Sequence, residues 1–523
     1  MSRRPSFLLF LTDQQRADQL GCYGNREART PHLDALAARA TVFDELHVAT
    51  PSCMPNRASL FTGRMPSAHG LRLNGVELDH AELTFPELLR RAGYRTALVG
   101  KSHLQNITTV PPHWPPPGAA RRAPETRERG VGAYGQECWR RWEDDPACTL
   151  GLPYYGFETV RLTINHGDEQ YGDWRRWLRA QTPDADRLVG PENALPTPDL
   201  ALAACGQAWR TRLPEELHPT RWIADETIAM LRERARDDAP FFVVCSFPDP
   251  HHPFTPPGRW WDLAAPADVA LPASFTAAAT APHVAWLRAE RDAGRAMKRG
   301  HAAWACTEQE AREAIALNHG LMGFVDDAIG RVLAALEVTG RANETIVAFS
   351  SDHGELLGDH QLLFKGGLHY RSLTRVACLW ADPAEPARRV GALAQSIDLA
   401  PTFLARAGLD APNGMQGMSL LPLVRGETQT LRDAVLIEEE GQRRDFGRSR
   451  RVRMRSLVDA RHRLTLYDGE AAGELYDRDT DPLEAVNRWD DPACAHVRAA
   501  LMERLTRAML AATDESPYPL ASA

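Results

Sequence analysis

Cys53, Pro55 and Arg57 are spaced two residues apart in the stretch Thr50-Pro51-Ser52-Cys53-Met54-Pro55-Asn56-Arg57-Ala58-Ser59-Leu60-Phe61-Thr62-Gly63-Arg64. A proline suits the first turn of a helix, where its missing N–H costs nothing, and residues 56–61 can carry that helix onward. Cys53 then sits at the positive end of the helix with Arg57 one turn along. A nucleophile placed there meets an anionic substrate in a site already suited to anions. A cysteine phosphatase loop is excluded, because it needs its arginine six residues after the cysteine and Ser59 stands there. The plainer alternative is a structural cysteine ahead of a helix, since free cysteines are commonly buried.

Further chemistry-bearing residues follow apolar runs that read as buried strands. Residues 6–12 end at Asp13-Gln14, and residues 94–100 deliver Lys101-Ser102-His103. Residues 240–247 deliver Asp249-Pro250-His251-His252, and residues 345–350 lead to Asp352-His353. In open α/β sheets, ligands bind outside the carboxyl ends of the strands. Taken singly, each residue has an ordinary explanation as a helix cap, a solvated face or a satisfied histidine. Together they bring carboxylates, imidazoles and an ammonium beside Cys53. The chemistry this suits is attack on a tetrahedral oxyanion ester. Its transition state spreads negative charge over the non-bridging oxygens, so a metal and fixed cations matter most. Asp13 and Asp352 offer oxygen ligands, and His353 a nitrogen ligand.

The elements that must position these residues alternate strand and helix. Helical patterns cover residues 30–40, 84–92, 220–236, 308–336 and 396–407, and a further strand covers 376–380. This rhythm predicts an α/β fold, with a large mainly parallel mixed sheet between layers of helices. Residues 104–213 break it with proline clusters, a charged run at 121–129, and Trp139, Trp142, Trp174 and Trp177. Those tryptophans either wall a substrate pocket or form a small satellite core. Residues 252–306 read as a second irregular insertion. After residue 425 come short strand-like pieces at 434–438, 451–458 and 464–467, then a helix at 493–510. The expected division is a catalytic domain at 1–425 and a C-terminal antiparallel α+β subdomain at 426–523.

Composition excludes several classes. A chain of 523 residues with 43% hydrophobic and 25% charged residues is ordinary for a globular protein. A net charge of -8 gives no general attraction to nucleic acid, and the only basic stretch is 448–455. The 9 cysteines lack paired short spacings and read as reduced thiols. The apolar run at 7–11 is too short for a signal segment, and no stretch approaches a membrane span. The cytoplasm is the expected compartment.

The extended Cys53 block resembles the signature of type I, formylglycine-dependent sulfatases, a family of the alkaline phosphatase superfamily. Gly100-Lys101-Ser102-His103-Leu104, Pro250-His251-His252-Pro253-Phe254, Ser350-Ser351-Asp352-His353-Gly354-Glu355 and Lys365 resemble further blocks of that family. So does the segment from Glu474 to Asn487, where a structural turn is nevertheless the favoured reading. The resemblance implies an alkaline-phosphatase-like fold and hydrolysis of sulfate monoesters. Cys53 would be converted to formylglycine by a formylglycine-generating enzyme, and its hydrate would be the nucleophile. Asp13, Cys53, Asp352 and His353 would hold one divalent metal. Arg57 would orient residue 53. Lys101 and Lys365 would hold the sulfuryl oxygens, His251 or Lys365 would protonate the leaving oxygen, and His103 would act as base. Asn74 is a turn residue or a substrate contact. Many sulfatases have a second acidic residue where Gln14 stands and asparagine where His353 stands. Nitrogen ligation favours Mn2+ over Ca2+ or Mg2+. The same two pairs also resemble the phosphonate monoester hydrolase and choline sulfatase branches. A phosphonate monoester or phosphodiester hydrolase is therefore the nearest alternative, and an anion-binding protein with unconverted Cys53 the more distant one. The expected partner is a small sulfate or phosphonate ester, and a homo-oligomer is one of the open possibilities for its assembly.

Overall fold

The run Phe7-Leu8-Leu9-Phe10-Leu11 has no polar face, so its strand must lie where helices cover both sides of a sheet. In the computed structural model, which describes residues 4–111, 126–197, 200–278, 281–441, 446–447 and 451–521, that is its position. Strand β1 (Ser6–Thr12) is buried throughout. Phe7, Leu9 and Leu11 enter the core on one side of the sheet, and Leu8 and Phe10 the core on the other. This is the two-residue period of a strand.

The main sheet has nine strands: β1, β2 (Thr41–His47), β3 (Arg95–Lys101), β4 (Thr159–Ile164), β5 (Tyr171–Gly172), β6 (Phe241–Ser246), β8 (Thr345–Ser351), β10 (Arg375–Ala381) and β11 (Arg388–Gln395). Their spatial order is β11-β2-β10-β8-β1-β6-β3-β4-β5. The five consecutive strands β8, β1, β6, β3 and β4 all run parallel. Antiparallel pairs occur at β10 with β8 and β2, and at β4 with β5. Helix Cys53–Thr62 and helix Leu399–Arg406 cover one face, through Met54, Ala58, Phe61 and Phe403. Helices Pro219–Arg234 and Glu308–Val338 cover the other, through Ile223, Leu231, Val325 and Ile329. The longer of these starts on a capping box, with Thr307 and Glu310 satisfying each other's backbone N–H. This is the mixed, mainly parallel, alkaline-phosphatase-like sheet expected above. Among the described residues, no helix is long and apolar enough to cross a membrane.

The stretch 104–213 is not irregular throughout. It contributes β4 and β5 to the main sheet and the helix Asp173–Gln181. Trp142 joins the core on one face of the sheet and Trp174 that on the other, so both tryptophans serve packing. The prolines at 115–117, residues 121–125 of the charged run and residues 448–450 of the basic stretch lie outside the described residues. Strands β2 and β11 also escape the sequence reading. Asp44 and Glu45 interrupt the apolar pattern of β2, and β11 starts half-exposed with Arg388 and Arg389.

Within the insertion at 252–306, β7 (Trp304–Ala305) pairs with β9 (Leu362–Leu363). An isolated parallel bridge joins Ala302 to Lys365 beside that pair. Toward the C-terminus, β12 (Ala434–Glu440), β13 (Arg453–Asp459), β14 (His462–Tyr467) and β15 (Gly473–Asp477) form an antiparallel sheet in sequence order. Helix Ala495–Ala511 packs on it through Leu501 and Leu505. The Glu474–Asn487 segment serves structure. The buried Arg463 guanidinium bonds Glu474 at 3.1 Å and Glu484 at 2.9 Å, and Glu484 accepts the backbone N–H of Arg371.

Candidate active site

The carboxyl ends of β8, β1, β6, β3 and β4 open on one side of the sheet. They carry Asp352 and His353, Asp13 and Gln14, Asp249 through His252, Lys101 through His103, and His166. All are buried. The strands must lie close for this convergence. Gly100, at φ 104°, lies where an added Cβ would stand 1.9 Å from the carbonyl oxygen of Ser246 on β6. Gly354 is equally constrained, with Ser372 O at 1.8 Å from the equivalent point. Gln14 and His103 adopt the left-handed backbone (φ 61° and 59°), which is uncommon for residues with a Cβ. Buried carboxylates hold both turns. Gln14 N–H donates to Asp352 at 3.1 Å, and the N–H groups of His103, Leu104 and Gln105 donate to Glu137 at 2.7, 3.0 and 3.1 Å.

Cys53 is the first residue of its helix. The carboxamide oxygen of Asn74 accepts the N–H of Met54 at 3.1 Å and the hydroxyl of Ser52 at 3.2 Å, so Asn74 fixes the start of the helix. One turn on, Arg57 is wholly buried. Its Nε donates to Asp352 Oδ2 at 2.7 Å, and its Nη1 to the Lys101 carbonyl at 2.9 Å and to Ser246 Oγ at 3.0 Å. Its Nη2 is 3.7 Å from Asp13 Oδ2. Arg57 thereby ties the helix to four strand ends.

The Cys53 sulfur is 3.7 Å from Asp13 Oδ1, 3.2 Å from His353 Nε2 and 3.0 Å from the Lys365 ammonium. Burial and Asp13 push its pKa up, but Lys365, His353 and Lys101 outweigh them and hold the thiol below its ordinary value. Burial would likewise raise Asp13, yet the Lys101 and Lys365 ammonium groups hold it well below the usual carboxylate range.

The donor set suits a divalent cation. One ligand atom each from Asp13, Cys53, Asp352 and His353 lies within 4.8 Å of the others. The His353 Nδ1 donates to the Gly354 carbonyl at 2.8 Å, which turns the Nε2 lone pair inward. The Lys365 ammonium, itself a cation, stands among Cys53 Sγ, His353 Nε2 at 2.8 Å and Gln14 Oε1 at 2.6 Å. A positive charge therefore fits between these acceptors. Two carboxylate oxygens with an imidazole form a mixed set of the kind transition ions accept more readily than Ca2+ does.

The histidines form the other wall. His166, His251, His252 and Phe364 stack in one column, with centroid separations of 3.7, 4.2 and 3.6 Å. Burial, His166, Lys365 and His252 lower the His251 pKa well below its ordinary value, and burial with Lys101 and His166 does the same to His103. His251, His252 and His301 also lie within ligand distance of one another. However, the Gln14 amide donates to His252 Nδ1 at 3.0 Å, which places that ring's proton on Nε2, bonded to His301 at 3.0 Å. Those three rings do not offer three free lone pairs.

The structure thus brings Asp13, Cys53, Arg57, Lys101, His103, His251, Asp352, His353 and Lys365 to one site, with Asn74 acting on the helix start. Sequence reading missed Glu137 and His166, and gave no role to Glu355, which closes the Asp352-His353 block. Glu355 accepts from the Gln14 amide and the N–H groups of Leu357 and Phe364, and so sets the Gln14 side chain. Glu137 and His166 fall inside the stretch read as irregular. Only recognition of residues 159–164, six residues alternating toward β-branched types, as a strand could have drawn attention to His166.

Comparison with known proteins gives the same picture. The sulfatase family profile matches residues 5–409, and that of the N-sulphoglucosamine sulphohydrolase C-terminal region matches residues 358–511. The chain is 28% identical over 510 residues to an uncharacterized sulfatase of Escherichia coli (96% of this chain, 86% of that one). It is 27% identical over 495 residues to an arylsulfatase of Clostridium perfringens (92% and 90%). Among solved structures, the phosphonate monoester hydrolase of Agrobacterium radiobacter superposes with a TM-score of 0.77 at 26% identity, covering 98% of this chain and 97% of that one. With its whole nine-stranded sheet and its cysteine helix inside the matched region, the chain belongs to the sulfatase family of hydrolases, in the alkaline phosphatase superfamily.

Proposed function

We propose that this protein hydrolyses sulfate monoesters, with Cys53 converted to formylglycine and one divalent ion, Mn2+ preferred, on Asp13, Asp352, His353 and residue 53. The observation that carries this reading is the position of Cys53: first residue of a helix, within 3.7 Å of Asp13 Oδ1 and 3.2 Å of His353 Nε2, with Lys365 at 3.0 Å. A structural cysteine has no need of two ammonium groups and two carboxylates around it. When present, the ion would supply positive charge and the aldehyde hydrate an oxygen nucleophile for the ester's sulfur.

The chain's own groups do the rest. Lys101 and Lys365 neutralise the sulfuryl oxygens as charge spreads over them. The Lys365 ammonium would give the leaving oxygen its proton, or His251 would do so from Nε2 once protonated there, its Nδ1 being held by the His252 carbonyl. His103, neutral and held by Glu137, accepts the remaining hydroxyl proton of residue 53 as sulfate departs. Arg57 holds Asp352 and the helix in register while this happens.

A second reading keeps the site and exchanges the ester for a phosphonate monoester or phosphodiester. The likeness to the Agrobacterium structure and the presence of Gln14 and His353 favour it. Turnover of an aryl sulfate against an aryl phosphonate monoester, by metal-loaded enzyme made with a formylglycine-generating enzyme, separates the two. The sulfatase reading expects the larger kcat/KM on the sulfate and almost none in Cys53→Ala. A larger kcat/KM on the phosphonate selects the second reading.

A further inference from the structure

His166 belongs to none of the motifs around the site, yet it lies inside the charged cluster. Its Nε2 is 2.6 Å from the Lys101 ammonium and 3.7 Å from Asp13 Oδ2, and its ring stacks on His251 at 3.7 Å. An ammonium has only protons to offer. Nε2 is therefore the acceptor, and the imidazole is neutral with its proton on Nδ1. The loop that carries it is firmly held. Asp168 accepts from Gly190 N at 3.2 Å, from the Trp209 indole at 3.1 Å and from the Thr211 hydroxyl. Asn165, at φ 84°, donates to the Glu169 carbonyl at 3.1 Å. Gly167, at φ 59°, lies so close to Pro253 that an added Cβ would stand 3.1 Å from its ring. The His166 loop and the His251 loop are thus packed against each other.

We infer that His166 is a positioning residue that aims the Lys101 ammonium at the anionic group of the substrate. An ammonium carries three N–H bonds in fixed tetrahedral directions on a flexible four-carbon stem. Asp13 alone takes one bond and leaves the group free to turn about it. His166 takes a second from another side, and with two directions committed the third is fixed. That third N–H is the one left for an oxygen of the ester. Asp13 would otherwise also draw Lys101 toward the metal ligands, and the imidazole acceptor opposes this without adding a negative charge that would repel the substrate. The inference rests on the reading above that Lys101 meets the substrate's oxyanion.

The test uses the metal-loaded, formylglycine-bearing enzyme and inorganic sulfate, with affinity read by calorimetry. His166→Phe keeps a flat ring for stacking and removes the acceptor; His166→Gln returns an acceptor of similar reach. Loss of one hydrogen bond to a charged group predicts about 10- to 100-fold weaker sulfate binding in His166→Phe and partial recovery in His166→Gln. The discriminating readout is coupling. In a Lys101→Ala background, His166→Phe has no further effect if it acts through Lys101, whereas a packing role would add its full effect again. Wild-type affinity in His166→Phe, equal loss in His166→Gln, or an additive double variant would overturn the inference. Lys101→Ala binding sulfate as tightly as wild type would instead overturn the reading of Lys101 as an anion contact, and the inference with it.

Discussion

Replacing Arg57 with methionine keeps most of the stem and removes the guanidinium. Three hydrogen bonds disappear, to Asp352 at 2.7 Å, to the Lys101 carbonyl at 2.9 Å and to Ser246 at 3.0 Å. What remains costs more than what is lost. Asp352 and Asp13 stay completely buried without the cation that bonds one and lies 3.7 Å from the other. Removing one partner of a buried ion pair costs about 3–5 kcal/mol, roughly a fifth or more of the ~5–15 kcal/mol that holds a folded protein together. A divalent ion on the same carboxylates would replace part of the missing charge, and binding to the folded state alone stabilises it further. Urea unfolding of wild type and Arg57→Met, each with Mn2+ and with a chelator, measures both effects. The expected penalty is about 3–5 kcal/mol in chelator and at least ~1 kcal/mol smaller with Mn2+. A penalty no greater than that of a surface pair, below ~1 kcal/mol in chelator, would refute the electrostatic role of Arg57. A penalty indifferent to Mn2+ would refute the idea that Arg57 and the ion share these carboxylates.

Burial drives the pKa of His69 and of His218 down to about 3. The unfolded chain takes up a proton at each below pH ~6.5 while the folded chain does not, so stability is full above that pH and falls as the pH drops toward 3. Each histidine contributes a slope of about 1.4 kcal/mol per pH unit in that window; His69→Gln should flatten the urea-midpoint profile between pH 6.5 and 4, and an unchanged slope would contradict the assignment. Glu137→Ala strips the acceptor from the N–H groups of His103, Leu104 and Gln105 and from the Tyr154 hydroxyl at 2.6 Å. At about 1–3 kcal/mol for each buried group left unpaired, its thermal midpoint and kcat should both fall, with Glu137→Gln closer to wild type; a fully active, equally stable Glu137→Ala would show that His103 does not depend on this support.

Much of the site was legible because its residues lie at the ends of uniformly apolar strands. Runs such as 6–12 and 345–350 have only one plausible environment, and the residues that follow them face the same side of a parallel sheet. The Cys53 helix was legible through its proline and its arginine one turn on. What escaped depends on contacts distant in sequence. Strand β4 alternates exposed Arg161 with buried neighbours, so it carries a weaker apolar signal, and with it went His166. Glu137 and Glu355 act through backbone N–H groups of other segments, a role that no local pattern announces. The tryptophans at 142 and 174 signalled burial, but only the fold says that each belongs to a face of the main sheet.

The central claim is that residue 53 is a formylglycine nucleophile, and the mass of the tryptic peptide spanning residues 40–57 tests it most directly. Protein made with a formylglycine-generating enzyme should yield this peptide about eighteen mass units below the value for cysteine, from loss of two hydrogens and exchange of sulfur for oxygen. Aryl sulfate turnover should rise in proportion to the converted fraction. An unmodified thiol under those conditions, or turnover independent of the converted fraction, would contradict the account.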